Sequence, residues 1–173
     1  MRNLDTILAA SKPGETITLE RGLYTTLGCT TNPSPDGQPL KPGVKLIGQG
    51  DQTVVLSIRP MDETQLDSSV ILGSGDNVIE NLVVDCGVVQ VPKRKRNGVY
   101  CRGSGNTIKG VTALRPHGVW APEFRESFGL AVQLDDPTSS ILNCSVLEPI
   151  GNYQTMIQGH TVTGCRVIGD YRT

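Results

Sequence analysis

The sequence predicts an all-β fold, a single right-handed parallel β-helix of about five to six short coils with a short helix over its first end. Three observations carry that prediction. A seven-residue motif occurs four times: Val78-Ile79-Glu80-Asn81-Leu82-Val83-Val84, Thr107-Ile108-Lys109-Gly110-Val111-Thr112-Ala113, Ser140-Ile141-Leu142-Asn143-Cys144-Ser145-Val146 and Thr161-Val162-Thr163-Gly164-Cys165-Arg166-Val167. The copies begin 29, 33 and 21 residues apart, a spacing that suits solenoid coils with loops of unequal length. The 173 residues also include 20 glycines and 11 prolines and few long helix-forming runs, the composition of short elements separated by turns.

Each element follows in chain order, and the whole chain, 1–173, reads as one domain. Residues 1–12 are the N-terminal cap: Leu4, Ile7 and Leu8 recur at helical spacing and Asn3 stands at the N-cap position. Residues 13–69 read as irregular first coils, with strands at Thr16-Ile17-Thr18-Leu19, Val44-Lys45-Leu46-Ile47-Gly48 and Thr53-Val54-Val55-Leu56. Residues 70–168 hold the regular coils.

Apolar residues at the second, fifth and seventh motif positions predict three inward columns: Ile79/Ile108/Ile141/Val162, Leu82/Val111/Cys144/Cys165 and Val84/Ala113/Val146/Val167. The fourth position (Asn81, Gly110, Asn143, Gly164) is polar or small, as a bend between two short strands requires. Asn77 and Asn106 fall in register in the polar turns before the first two copies and are expected to hydrogen-bond along the axis. After Val167 only Ile168-Gly169-Asp170-Tyr171-Arg172-Thr173 remains to cover open backbone edge and apolar interior. A partner subunit, or a further length of chain, is therefore expected against that end.

Hydrophobic residues make up 37% of the chain and charged ones 19%, ordinary for a soluble domain. The net charge of −1 gives no general attraction for polyanions. Lys93-Arg94-Lys95-Arg96 is a single short basic run with no recognition helix, so nucleic acid is not an expected partner. No stretch approaches the ~18 apolar residues of a membrane span, and the start, Met1-Arg2-Asn3-Leu4-Asp5, does not read as a secretory signal. Five cysteines, none in a CxxC pair, are expected as buried thiols; their spacing leaves open a Cys86 to Cys101 disulfide or an intermolecular one.

From about Leu4 to Val167 the chain resembles the pectate lyase-like family of right-handed parallel β-helix proteins. The phrases that carry the likeness are Pro13-Gly14-Glu15-Thr16-Ile17-Thr18-Leu19 with Gly22-Leu23-Tyr24, then Val44-Lys45-Leu46-Ile47-Gly48-Gln49-Gly50, then the four repeats. The resemblance implies a scaffold that serves polysaccharide lyases, glycoside hydrolases, epimerases, phage tailspikes and adhesins, so it does not choose an activity. The polygalacturonase-like members imply paired aspartates and a Gly-His-Gly, for which Asp135-Asp136 and Gly159-His160 are the nearest match. Both lie in the turn before a repeat and His160 is followed by Thr161, so they read as turn residues. The pectate lyases imply a calcium site built from carboxylates, but Asp85 is followed in its register by Leu114, Leu147 and Ile168, so no metal and no cofactor is expected.

The loops after the repeats, 86–98, 115–128 and 148–155, should emerge on one side of the barrel. Their basic and aromatic side chains make a candidate ligand face of Arg94, Arg96, Arg115, His117, Trp120, Arg125 and Tyr153, suited to the faces, hydroxyls and acidic groups of a sugar. The alternative is that the aromatic residues pack their own loop or a neighbouring subunit while the basic run is solvated. Were this face catalytic, Arg94, Arg115 or Arg125 would neutralise a substrate carboxylate and His117 or Tyr153 would accept the proton; no catalytic residue is assigned. The expected function is a non-catalytic surface module of a virion or cell surface, a decoration, tail or adhesin element, homo-oligomeric and with a glycan as candidate ligand. The alternative is a lyase or hydrolase acting on an acidic polysaccharide.

Overall fold

The structure, a computed structural model, describes residues 1–30, 37–59, 68–87, 95–121, 126–128, 131–151 and 155–169. Its core follows directly from the repeat. A short strand with an apolar residue at alternate positions buries one face, and stacking it on a copy of itself satisfies its backbone from above and below. The strands pair in parallel so that Ile17, Leu46, Ile79, Ile108, Ile141 and Val162 form one continuous column. Tyr24, Val55, Val84, Ala113, Val146 and Val167 form a second. Ile79, Ile108, Ile141, Val84, Ala113 and Val146 are all 0% exposed, as are Val111 and Cys144 of the third column.

The bend between the two strands of each coil is set by backbone geometry. Asn81, Gly110, Asn143 and Gly164 have φ of 55°, 60°, 53° and 67°, the left-handed region that Gly and Asn enter most readily. Their alternation along the stack has a steric cause. A Cβ on Gly110 would stand 2.7 Å from Asn81 Oδ1, and one on Gly164 would overlap the Asn143 amide.

A second sheet stacks Ser68–Gly73, Arg96–Cys101, Val132–Leu134 and Ile157–Gln158 in parallel, with Ile71, Val99 and Val132 facing the interior. The first sheet stacks six levels and the second four, so the solenoid has about four turns, slightly fewer than the five to six expected. Among the described residues the first coils contribute no parallel strand to this sheet; Cys29–Thr30 instead pairs antiparallel with Ser68–Ser69.

The turn between the sheets carries the expected asparagine ladder. Asn77 is fully buried: its Nδ2 donates to the carbonyls of Lys41 (2.8 Å) and Val44 (3.2 Å), and its Oδ1 accepts from Ser74 N–H (2.7 Å). Asn77 N–H donates to Asn106 Oδ1 (3.1 Å), and Asn106 N–H to Ser139 Oγ (3.0 Å). The axis is thus lined by hydrogen bonds that leave no polar group of these asparagines idle.

At the first end a helix spans Leu4–Ala10, with Asn3 Oδ1 accepting from Thr6 N–H and Leu4 and Leu8 buried against the barrel. Asp5 ties it to the first coil by accepting from the Thr26 hydroxyl (2.7 Å) and Leu27 N–H (2.9 Å). At the other end, Thr161–Thr163 and Arg166–Ile168 pair with the preceding coil, and Val162 and Ile168 are 41% and 51% exposed.

The five cysteines carry free thiols. Burial pushes those of Cys29, Cys86 and Cys101 up to about 12 and that of Cys144 to about 11, which keeps them protonated and unreactive at neutral pH. No helix of the described residues is long and apolar enough to cross a membrane.

Candidate functional site

The three loops predicted to be neighbours do meet in the backbone. His117 and Gly118 pair in parallel with Ile150 and Gly151, and His117 pairs antiparallel with Arg96. Of the described side chains, those of Arg96 and His117 are buried rather than open to a ligand. Arg96 is 2% exposed, and its guanidinium donates to the carbonyls of Cys86 and Arg59, both at 2.8 Å. Burial lowers its pKa, the signature of a cation held inside to satisfy backbone acceptors. His117, expected in an exposed loop, lies in the strand His117–Ala121 with a buried imidazole, because strand pairing on both sides covers it.

Arg115 grips Asp85 through two guanidinium N–H groups, one of them Nε to Oδ1 at 3.1 Å. That hydrogen bonding holds the Arg115 pKa up. The pair occupies an otherwise aliphatic outer column, where Asp85 stands in register with Leu56 and Leu114, and Leu114 leads on to Leu147 and Ile168. Asp85 also accepts from Gly87 N–H at 2.9 Å, so its carboxylate organises the turn it closes. Trp120 is on the same strand as His117, opposite Ser127. Arg94, Arg125 and Tyr153 lie outside the described residues.

A second constellation stands on the outer face of the second sheet. Tyr100, Gln133 and Gln158 are in register on successive coils and point away from the core, alternating with buried Val99, Cys101, Val132 and Leu134. Beside them Leu134, Asp135, Gln158, Gly159 and His160 line a depression of about 200 Å³. Tyr100 OH donates to Asp135 Oδ2 at 2.5 Å, and Gln133 Nε2 donates to Asp135 Oδ1 at 2.8 Å. The Arg102 guanidinium sits 5.3 Å from the centre of the Tyr100 ring. Burial, and then the bond to Asp135, raise the Tyr100 pKa, so the phenol stays a donor.

Asp136 performs the turn chemistry expected of it. Its carboxylate accepts from the Thr138 hydroxyl and from Thr138 N–H (2.9 Å), which together with nearby His160 draw its pKa below 3.8. Asp135 does something else: it leaves the turn and joins the ladder. Sequence reasoning placed both aspartates and His160 in turns and passed over the ladder. The signal was the apolar-polar-apolar pattern of Val99-Tyr100-Cys101 and Val132-Gln133-Leu134, too short to set register alone. Among the described residues no group of three or more His, Cys, Asp or Glu is placed to hold a metal ion.

No family model and no curated protein sequence matches this chain. Among solved structures it is similar to a pectin methylesterase mutant in complex with a hexasaccharide, with a TM-score of 0.61 and 14% sequence identity over 100% of this chain and 52% of that one. The fold is a parallel β-helix, the architecture of that enzyme. At this identity the β-helix likeness is one of architecture, and the chain spans about half the length of the enzyme it resembles.

Proposed function

We propose that this β-helix is a carbohydrate-binding module that holds a glycan chain across the outer face of its second sheet. The observation that carries the proposal is the ladder Tyr100, Gln133, Gln158 opening onto the depression between Asp135 and His160. Successive coils are ~4.8 Å apart, close to the length of one sugar residue, so amide and hydroxyl groups repeat at a step a glycan can follow. Supporting it, the similar solved structure carries a hexasaccharide on the same architecture.

Titration of the chain with a panel of oligosaccharides, read by chemical shifts or heat, tests the reading. Binding should be lost in Gln158→Ala with the melting temperature unchanged; binding that survives both Tyr100→Ala and Gln158→Ala would move the ligand elsewhere. The wider role proposed is a rigid surface element assembled as a homo-oligomer. The exposed Val162 and Ile168 support that part, and a monomeric mass by light scattering at all concentrations would remove it.

A second reading, a carbohydrate-active enzyme, is favoured by two carboxylates and an imidazole beside one depression. Its test is the release of new reducing ends, unsaturated products or ester-derived alcohol from polysaccharides.

A further inference from the structure

We infer that the glycan accepted at the Asp135 depression is uncharged, an inference that rests on the binding reading above. Asp135 and Asp136 bring two carboxylates to this part of the surface. Each oxygen of Asp135 already accepts one hydrogen bond, from Tyr100 and from Gln133, and each retains a lone pair for a further donor. Sugar hydroxyls supply such donors. A uronate or sulfate supplies only more acceptors and a like charge.

Among the described residues, the cations that would reverse this preference are engaged by other groups. Arg102 lies over the Tyr100 ring, Lys109 pairs with Glu80 at 3.1 Å, and Arg115 pairs with Asp85 on the other sheet. Arg96 is inside the barrel. Among the described residues, and apart from the His160 imidazole, the charged side chains at the depression and beside it are Asp135, Asp136 and Arg102, two negative against one positive. The site thus points away from the acidic polysaccharide of the alternative reading of the sequence. Asp135 becomes the residue that determines specificity: an acceptor for hydroxyls and a repellent for carboxylates.

Calorimetric titration with xylohexaose, cellohexaose, mannohexaose and hexagalacturonate, at low and high salt, tests this. At least one neutral hexasaccharide should bind at least tenfold more tightly than hexagalacturonate at low salt. The gap should narrow at high salt and in Asp135→Asn, because both weaken the repulsion. A gap below tenfold, or tighter binding of hexagalacturonate, overturns the inference while leaving the site intact. Binding of neither class sinks the site itself, and the inference with it.

Discussion

Replacing Ile108 by alanine tests the column that builds the barrel. Ile108 is fully buried and lies in register between Ile79 and Ile141, both fully buried, so truncation opens a cavity that the coils above and below cannot readily fill. Large-to-small substitutions at such sites cost about 2–5 kcal/mol, and a value near ~3 kcal/mol would lower the melting temperature of a chain this size by roughly 6–12 °C.

The next residue provides the control. Lys109 points outward from the same strand and makes a half-exposed ion pair with Glu80, so Lys109→Ala should cost only about 0–1 kcal/mol. Urea unfolding followed by circular dichroism measures both. Ile108→Asp, which places an unpaired carboxylate in the barrel, should not fold at all. Equal losses in Ile108→Ala and Lys109→Ala, or an Ile108→Asp variant that melts like the parent, would refute the inward column.

Three further outcomes are expected. Gly110→Ala should cost about 1–2 kcal/mol from its left-handed backbone, and more from the contact with Asn81; thermal unfolding reads the loss, and a neutral result would show that the bend tolerates a Cβ. Arg115→Leu should destabilise by about 1–3 kcal/mol because it removes the cation from a largely buried carboxylate and leaves it the Gly87 N–H, whereas Asp85→Leu with Arg115→Leu should recover most of that by completing the aliphatic column; failure to recover would mean that the Gly87 contact dominates. Asp136 has a folded pKa below its ordinary 3.8, so its contribution is present above that value and lost as pH falls through the lower folded value. Wild type should therefore exceed Asp136→Asn in urea midpoint at neutral pH, and the two should converge in acid.

The repeat was legible because its side-chain pattern is local. Seven-residue copies with apolar second, fifth and seventh positions leave one way to bury all three, and the Asn or Gly at the fourth marks the bend. The registers of Asn77 with Asn106 and of Asp85 with Leu114, Leu147 and Ile168 then follow from alignment of the copies alone. The candidate site was less legible for a corresponding reason. Arg96 and His117 are polar residues in segments whose burial depends on strands from three separate loops pairing over them, and nothing in their own neighbourhoods announces it. Asp135 differs from Asp136 only in what the adjacent coil offers: Tyr100, delivered thirty-five residues earlier in the chain, turns a turn aspartate into part of an outer ladder.

By itself the sequence determined the solenoid, its inward columns, its bends and its capping helix, since each depends on residue type at a fixed short spacing. Only the tertiary structure decided which polar side chains are buried and which face solvent together, and how many coils are complete. Those outcomes depend on contacts between coils, where burial and hydrogen bonding are set by neighbours distant in the chain.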